Sequence, residues 1–182
     1  LSRSGDVVVI CPAKARHVWW SQVQEYSNVK PFRVKPQAEV RKKDQTFEDY
    51  EHECRERGQR KFVIVGSESI ADNVALIRQI QPSIIIFDEI HTHGNNKRWR
   101  AVHNVDGTVR FEKRKTSASS NPNSQVNRHA RAVAVMEVSR IASIRLRIGL
   151  TATPLDDGRP RRLWSQLDLL APGGFSHSYS NF

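Results

Sequence analysis

The sequence predicts an α/β domain in which helices cover a parallel sheet, and three observations predict it. Four short runs, Val7-Val8-Val9-Ile10, Phe62-Val63-Ile64-Val65, Ile84-Ile85-Ile86-Phe87 and Arg147-Ile148-Gly149-Leu150, are apolar and mostly β-branched, with no polar alternation. A strand of that kind is buried on both faces, as in a parallel sheet flanked by helices. Stretches with helical spacing separate the runs, and the alternation of strand and helix is the α/β pattern.

In chain order, the first strand is followed by a helix over 13–26 that gathers Val18, Trp19, Val23 and Tyr26 on one side. A highly charged surface helix over 44–60 precedes the second strand. The third strand follows a helix over 70–80 carrying Ile70, Val74, Ile77 and Ile80, and the fourth follows one over 130–144 carrying Val133, Met136, Ile141 and Ile144. Residues 104–131 break the rhythm with Asp106-Gly107, Lys113-Arg114-Lys115 and a Ser/Asn-rich tract. That composition cannot bury a core, so it predicts a surface insertion with a hairpin around Asp106-Gly107 and a mobile tip. The insertion is also basic, with six Lys and Arg against two acids.

A length of 182 residues admits one domain of ordinary size or a part of a larger machine. With 38% hydrophobic and 26% charged residues the chain can bury a real core, which excludes disorder throughout. No apolar run reaches the ~20 residues of a membrane span, and the first residues lack a signal peptide's apolar stretch, so a soluble protein without membrane partners is expected. The absence of an initiator Met points to a preceding segment. Cys11 and Cys54, without metal-ligand spacing, imply neither a disulfide framework nor a zinc module, and fit a reducing intracellular compartment. Lys and Arg exceed Asp and Glu by 29 to 19, and a net charge of +10 makes nucleic acid the first partner to consider.

The most informative segment is Ile84-Ile85-Ile86-Phe87-Asp88-Glu89-Ile90-His91. A buried strand ending in two carboxylates puts them at the carboxyl edge of the sheet, where α/β proteins bind ligands. Two acids there are costly without a cation. In nucleoside triphosphate hydrolysis the first carboxylate holds Mg²⁺ through water and the second orients the attacking water. A simpler use is capping of a helix N-terminus. His91-Thr92-His93 has the H-x-H spacing of some metallohydrolases, but the other strand ends, Cys11-Pro12, Gly66-Ser67 and Thr151-Ala152, offer no obvious further ligand. In Thr151-Ala152-Thr153-Pro154 two hydroxyls flank a small residue, placed to hydrogen-bond to the carboxylate segment of a neighbouring strand.

Together these residues resemble the first RecA-like lobe of a superfamily 2 helicase or translocase, nearest the Swi/Snf (chromatin-remodeller-like) branch, over nearly the whole of 1–182. Val8-Val9-Ile10-Cys11-Pro12, with Trp19 seven residues on, resembles motif Ia, and Val63 to Ser69 sits where motif Ib lies. Asp88-Glu89-Ile90-His91 is similar to motif II, the DEAH-type box, with Asn95 where the branch has an Asn. Leu150-Thr151-Ala152-Thr153-Pro154 resembles motif III, and Leu163, Trp164, Leu167, Leu170, Pro172 and Phe175 match the run that trails it in Swi/Snf-type proteins.

The resemblance implies a three-layer α-β-α RecA-like domain of the P-loop NTPase type, as a partial lobe, within a motor that uses ATP and Mg²⁺ to move on duplex DNA without reading its sequence. Asp88 would hold Mg²⁺ through water, Glu89 would polarise the attacking water, and His91 with Thr151 and Thr153 would couple the phosphate site to the nucleic-acid surface. Lys14, Arg16 and Ser67 would contact DNA phosphates. Apart from the resemblance, the basic run Lys113, Arg114 and Lys115 of the insertion either projects over the DNA or is a solvated, mobile loop. A second RecA-like lobe would complete the site, and the protein would be DNA-associated in the cytoplasm, nucleoid or nucleus. The sequence departs from the pattern in four places. It holds no G-x-x-x-x-G-K-[ST], so motif I would lie before Val7. It also has Gly94 where the branch has Lys, one extra residue between Pro154 and Trp164, and the 104–131 insertion. The competing expectation is a lobe that keeps the fold and basic surface as a DNA- or protein-binding scaffold without hydrolysing ATP.

Overall fold

The computed structural model describes residues 5–35, 40–41, 44–93, 99–103, 109–113, 122–154 and 160–174, with side chains described outside 99–103, 109–113, 122–130 and 160–162. Among the described residues the strands are β1 (Val7–Cys11), β2 (Pro31–Arg33), β3 (Phe62–Gly66), β4 (Ile84–Asp88), β5 (Trp99–His103), β6 (Val109–Lys113) and β7 (Leu146–Leu150). The α-helices among the same residues are α1 (Arg16–Tyr26), α2 (Phe47–Glu56), α3 (Val74–Ile80), α4 (Pro122–Ser139) and α5 (Pro160–Leu170). Five strands form one sheet in the order β2-β3-β1-β4-β7, every neighbouring pair parallel. The four expected strands are all in it.

Both faces of the sheet are covered, which explains the unbroken apolar strands. Val8, Ile10, Val63, Val65, Ile85 and Phe87 point into one core with Tyr50 of α2, Ile77 of α3, Val135 and Val138 of α4 and Leu169 of α5. Val7, Val9, Cys11 and Ile64 point the other way, where Trp19 and Trp20 of α1 pack over them. The result is a three-layer α-β-α domain of RecA-like architecture. Within the larger layer, the Tyr50 hydroxyl accepts from the Phe62 N–H at 2.8 Å and donates to the Lys30 carbonyl at 3.0 Å, which pins α2 to the start of β3.

The helices differ from their expected bounds for local reasons. Before α1, residues Ala13–Ala15 form a 3-10 turn, and Ser67–Asn73 do the same before α3. Helix α2 starts at Phe47 because Thr46 and Asp49 close a capping box, each side chain accepting from the other's backbone N–H. Helix α4 begins at Pro122, eight residues before its expected start, so 122–131 of the supposed insertion loop are helical. Proline suits a first helical position, where its missing N–H has no partner to lose. The helix stops at Ser139, while Ile141 and Ile144 beyond it still reach the core.

Strands β5 and β6 form a separate antiparallel pair, from Trp99↔Lys113 to His103↔Val109, so the expected hairpin exists with its strands on either side of Asp106-Gly107. Residues 104–108 and 114–121, the expected tip included, lie outside the described residues. Strand β2 is three residues long and was not expected. Among the described residues no helix is long and apolar enough to cross a membrane.

Candidate functional site

Parallel register brings the carboxyl ends of the central strands to one edge. Cys11 pairs with Gly66, Ile10 with Phe87, and Asp88 with Leu150, so the turns after β1, β3, β4 and β7 lie side by side. Asp88 is the last residue of β4 and Glu89 the first beyond it. Glu89 takes a left-handed backbone, φ 54° and ψ 48°, which costs a non-glycine residue on the order of 1 kcal/mol. The reversal starts a 3-10 turn over Ile90–Thr92, fixed by the Thr92 N–H donating to the Glu89 carbonyl at 2.8 Å.

That turn carries His91 toward the end of β7. Its Nδ1 lies 3.2 Å from Glu89 Oε2 and 2.8 Å from Thr151 Oγ1. Thr151 Oγ1 is the closer partner, hydrogen-bonded to Nδ1 in the direction that the tautomer of the ring sets. Thr151 Oγ1 also accepts from the Thr153 N–H at 3.1 Å. Glu89, His91, Thr151 and Thr153 thus form one continuous chain of contacts, joining two segments sixty residues apart in sequence. The small residue before them matters too: a methyl on Gly149 would sit 2.7 Å from the Ile90 Cδ1.

Asp88 is held differently. Its Oδ2 accepts from the Trp19 Nε1–H of α1 at 2.9 Å, and its backbone carbonyl accepts from His93 Nε2–H at 3.2 Å. His93 is 3% exposed, and burial pushes its imidazole down to about 4, the pull of the Asp88 carbonyl acting against the shift. With Nε2 as donor, Nδ1 is a buried lone pair with no hydrogen-bond partner among the described residues. The two histidines of the H-x-H therefore turn to separate partners. Among the described residues no cluster of three or more His, Cys, Asp and Glu side chains could hold a metal ion.

The residues present do fit a cation held through water. Asp88 is partly buried, Trp19 is the donor to its side chain among the described residues, and the Glu89 carboxylate beside it is 42% exposed. Mg²⁺ takes one or two carboxylates and keeps several waters, which suits this pair. Cys11 at the same edge is a neutral thiol, pushed up to about 12 by burial and then by the Asp88 charge, so no thiolate nucleophile is available.

The expected phosphate-binding residues fare unevenly. Lys14 is exposed on the turn after β1. Arg16 is partly tied to its own chain, its Nε donating to the Ala13 carbonyl and its NH1 to the Val34 carbonyl, each at 3.3 Å. The Ala13 N–H, a potential anion donor, already meets Glu68 Oε1 at 3.2 Å. Ser67 is 2% exposed, so its hydroxyl is not presented to a phosphate: the 3-10 turn that follows β3 buries it at the strand end. The side chain of Lys113, at the end of β6, and all of Arg114 and Lys115 lie outside the described residues.

Sequence reasoning missed the two hydrogen bonds on Asp88. Trp19 reads as a packing residue, and His93 as a possible metal ligand; neither spacing announces a bond to an acid. No known family profile matches the chain, and no curated protein matches it.

The burial of His93 has a pH consequence. Its folded value lies below the 6.5 of a free imidazole, so the unfolded chain binds the extra proton first, and stability present above pH 6.5 is lost as pH falls toward 4. Between pH 7 and pH 5 this group should remove about 2 kcal/mol of unfolding free energy. Urea denaturation at the two pH values checks it: His93→Gln, which still donates to the Asp88 carbonyl, should lose less stability over the same interval than the wild type.

Proposed function

We propose that this domain is the first RecA-like lobe of an ATP-dependent DNA translocase of the Swi/Snf-like type. The observation that carries the reading is the Glu89–His91–Thr151–Thr153 chain beside Asp88, at the carboxyl edge of an all-parallel sheet. Its two halves are the segments that resemble motifs II and III, and an arrangement that only capped a helix would have no reason to join them.

In this reading Asp88 holds a cation through water, and Glu89 orients and polarises the water that attacks the terminal phosphate. A bound Mg²⁺ supplies charge neutralisation at the phosphates. His91 passes changes around Glu89 to Thr151, and so to the turn after β7. Lys14 and Arg16, on the turn from β1 into α1, are placed to meet the DNA backbone, with Arg16 first releasing a carbonyl.

A phosphate-cradling loop supplied from upstream has one suitable place in this sheet. Among the described residues β7 pairs with β4 alone, and its Leu146 and Leu150 are 49% and 40% exposed. At about 4.8 Å per strand, a strand added beside β7 lies about 10 Å from β4, whereas one beyond β2 lies about 19 Å away. The first distance suits a loop sharing a nucleotide with Asp88.

The test is Asp88→Asn in the full-length protein, with nucleotide binding followed as a function of Mg²⁺. The substitution keeps the shape and removes the charge, so Mg²⁺-dependent binding should weaken by about tenfold or more, the scale of a hydrogen bond to a charged group. Binding with the wild-type Mg²⁺ dependence would remove Asp88 from the nucleotide site.

A further inference from the structure

We propose that Trp19 is the positioning residue for Asp88, fixing which carboxylate oxygen is left for the cation and tying helix α1 to that acid; this rests on the ATPase reading above. The indole N–H can only donate and the carboxylate can only accept, so the 2.9 Å contact between Nε1 and Oδ2 has one assignment, independent of any tautomer. It is charge-assisted, the stronger class of hydrogen bond.

The ring itself has little freedom. It packs on the cluster of Val7, Val9, Cys11 and Ile64 on the α1 face of the sheet, so its N–H is aimed by the core. From the other side His93 Nε2–H holds the Asp88 backbone carbonyl. With main chain and Oδ2 both held, the carboxylate's rotamer freedom is restricted and Oδ1 is the oxygen left for a cation's water shell.

Trp19 also has a place in the chain that gives the bond a second use. It lies three residues after Arg16, on the helix that continues from the turn carrying Lys14. A shift of α1 when Lys14 and Arg16 engage a phosphate backbone moves the indole, and the indole moves Asp88. This is a second link from the DNA-facing turn to the acidic edge, on the opposite face of the sheet from α5.

The test compares wild type, Trp19→Phe, Trp20→Phe, Asp88→Asn and the Trp19→Phe/Asp88→Asn double variant of the full-length protein, reading the Mg²⁺ concentration that half-saturates nucleotide binding. Phenylalanine keeps most of the packing and removes the N–H. Trp19→Phe should raise the half-saturating Mg²⁺ about tenfold while nucleotide binding without Mg²⁺ stays unchanged. Trp20→Phe should leave both unchanged, and the double variant should be no worse than Asp88→Asn alone, because both substitutions remove one interaction. Wild-type Mg²⁺ dependence in Trp19→Phe, or additive losses in the double variant, would overturn the role. A wild-type protein with no Mg²⁺-dependent nucleotide binding would overturn the ATPase reading itself and the role with it. The bond is read separately in protein carrying ¹⁵N-labelled tryptophan: the indole resonance missing from Trp19→Phe should be the one displaced most in Asp88→Asn. If Asp88→Asn left that resonance in place, the hydrogen bond would be refuted whatever the protein does with nucleotide.

Discussion

Replacing Glu89 with Gln in the full-length protein should abolish ATP hydrolysis and leave ATP binding nearly intact. The amide has the carboxylate's shape and can keep the 3.2 Å contact to His91 Nδ1, so the strained turn and its contact to Thr151 are retained. The charge that, in the proposed function, orients and polarises water disappears. Positioned acid–base groups contribute about 10²–10⁴ in rate, and a loss of that size in kcat with nucleotide affinity within about threefold is the expected outcome. Turnover of the variant within a few fold of wild type would show that the acid pair does not serve hydrolysis.

The 182-residue chain by itself should show no nucleic-acid-stimulated ATP hydrolysis above background. It holds Asp88, Glu89, His91 and both threonines, but its sequence contains no phosphate-cradling loop with its Lys. The proposed motor also needs a second lobe, whose arginine finger would be worth about 10³–10⁵ in rate. Purified chain, Mg²⁺-ATP and duplex DNA suffice for the measurement. Robust turnover would mean that other residues of 1–182 bind the phosphates, and the motif assignment would have to be redrawn.

Strands β1, β3 and β4 are legible because burial on both faces leaves a signature that survives without context, four or five apolar and mostly β-branched residues in a row; β7, with Arg147 and Gly149 inside it and Leu146 and Leu150 exposed, shows it only weakly. Strand β2 is not legible, since Pro31-Phe32-Arg33 is too short to show a period and becomes a strand only by pairing with β3. The early start of α4 is hidden for a related reason. Asn and Ser near Pro122 favour turns locally, and the helix extends through them from an apolar segment whose Val135 and Val138 are anchored in the core.

At the site, features set by a residue's place on a strand are readable, and features set by three-dimensional convergence are not. Asp88 and Glu89 fall at the carboxyl edge because any acid ending a parallel strand must. The partnership of Trp19 with Asp88 joins residues 69 apart, and the burial of His93 depends on packing around the 3-10 turn, so neither leaves a local trace. Ser67 misled for the converse reason: the resemblance to motif Ib implied a phosphate contact, and here the serine is buried at the strand end.

The central claim, that this is a lobe of a DNA-driven ATPase, is tested most directly by measuring ATP hydrolysis by the full-length protein with Mg²⁺, with and without duplex DNA of unrelated sequences. Stimulation by every duplex, lost with Glu89→Gln, is the expected result. Tight binding to DNA with no hydrolysis under any of these conditions would contradict it and leave the domain as a scaffold that kept the fold and the acids without the reaction.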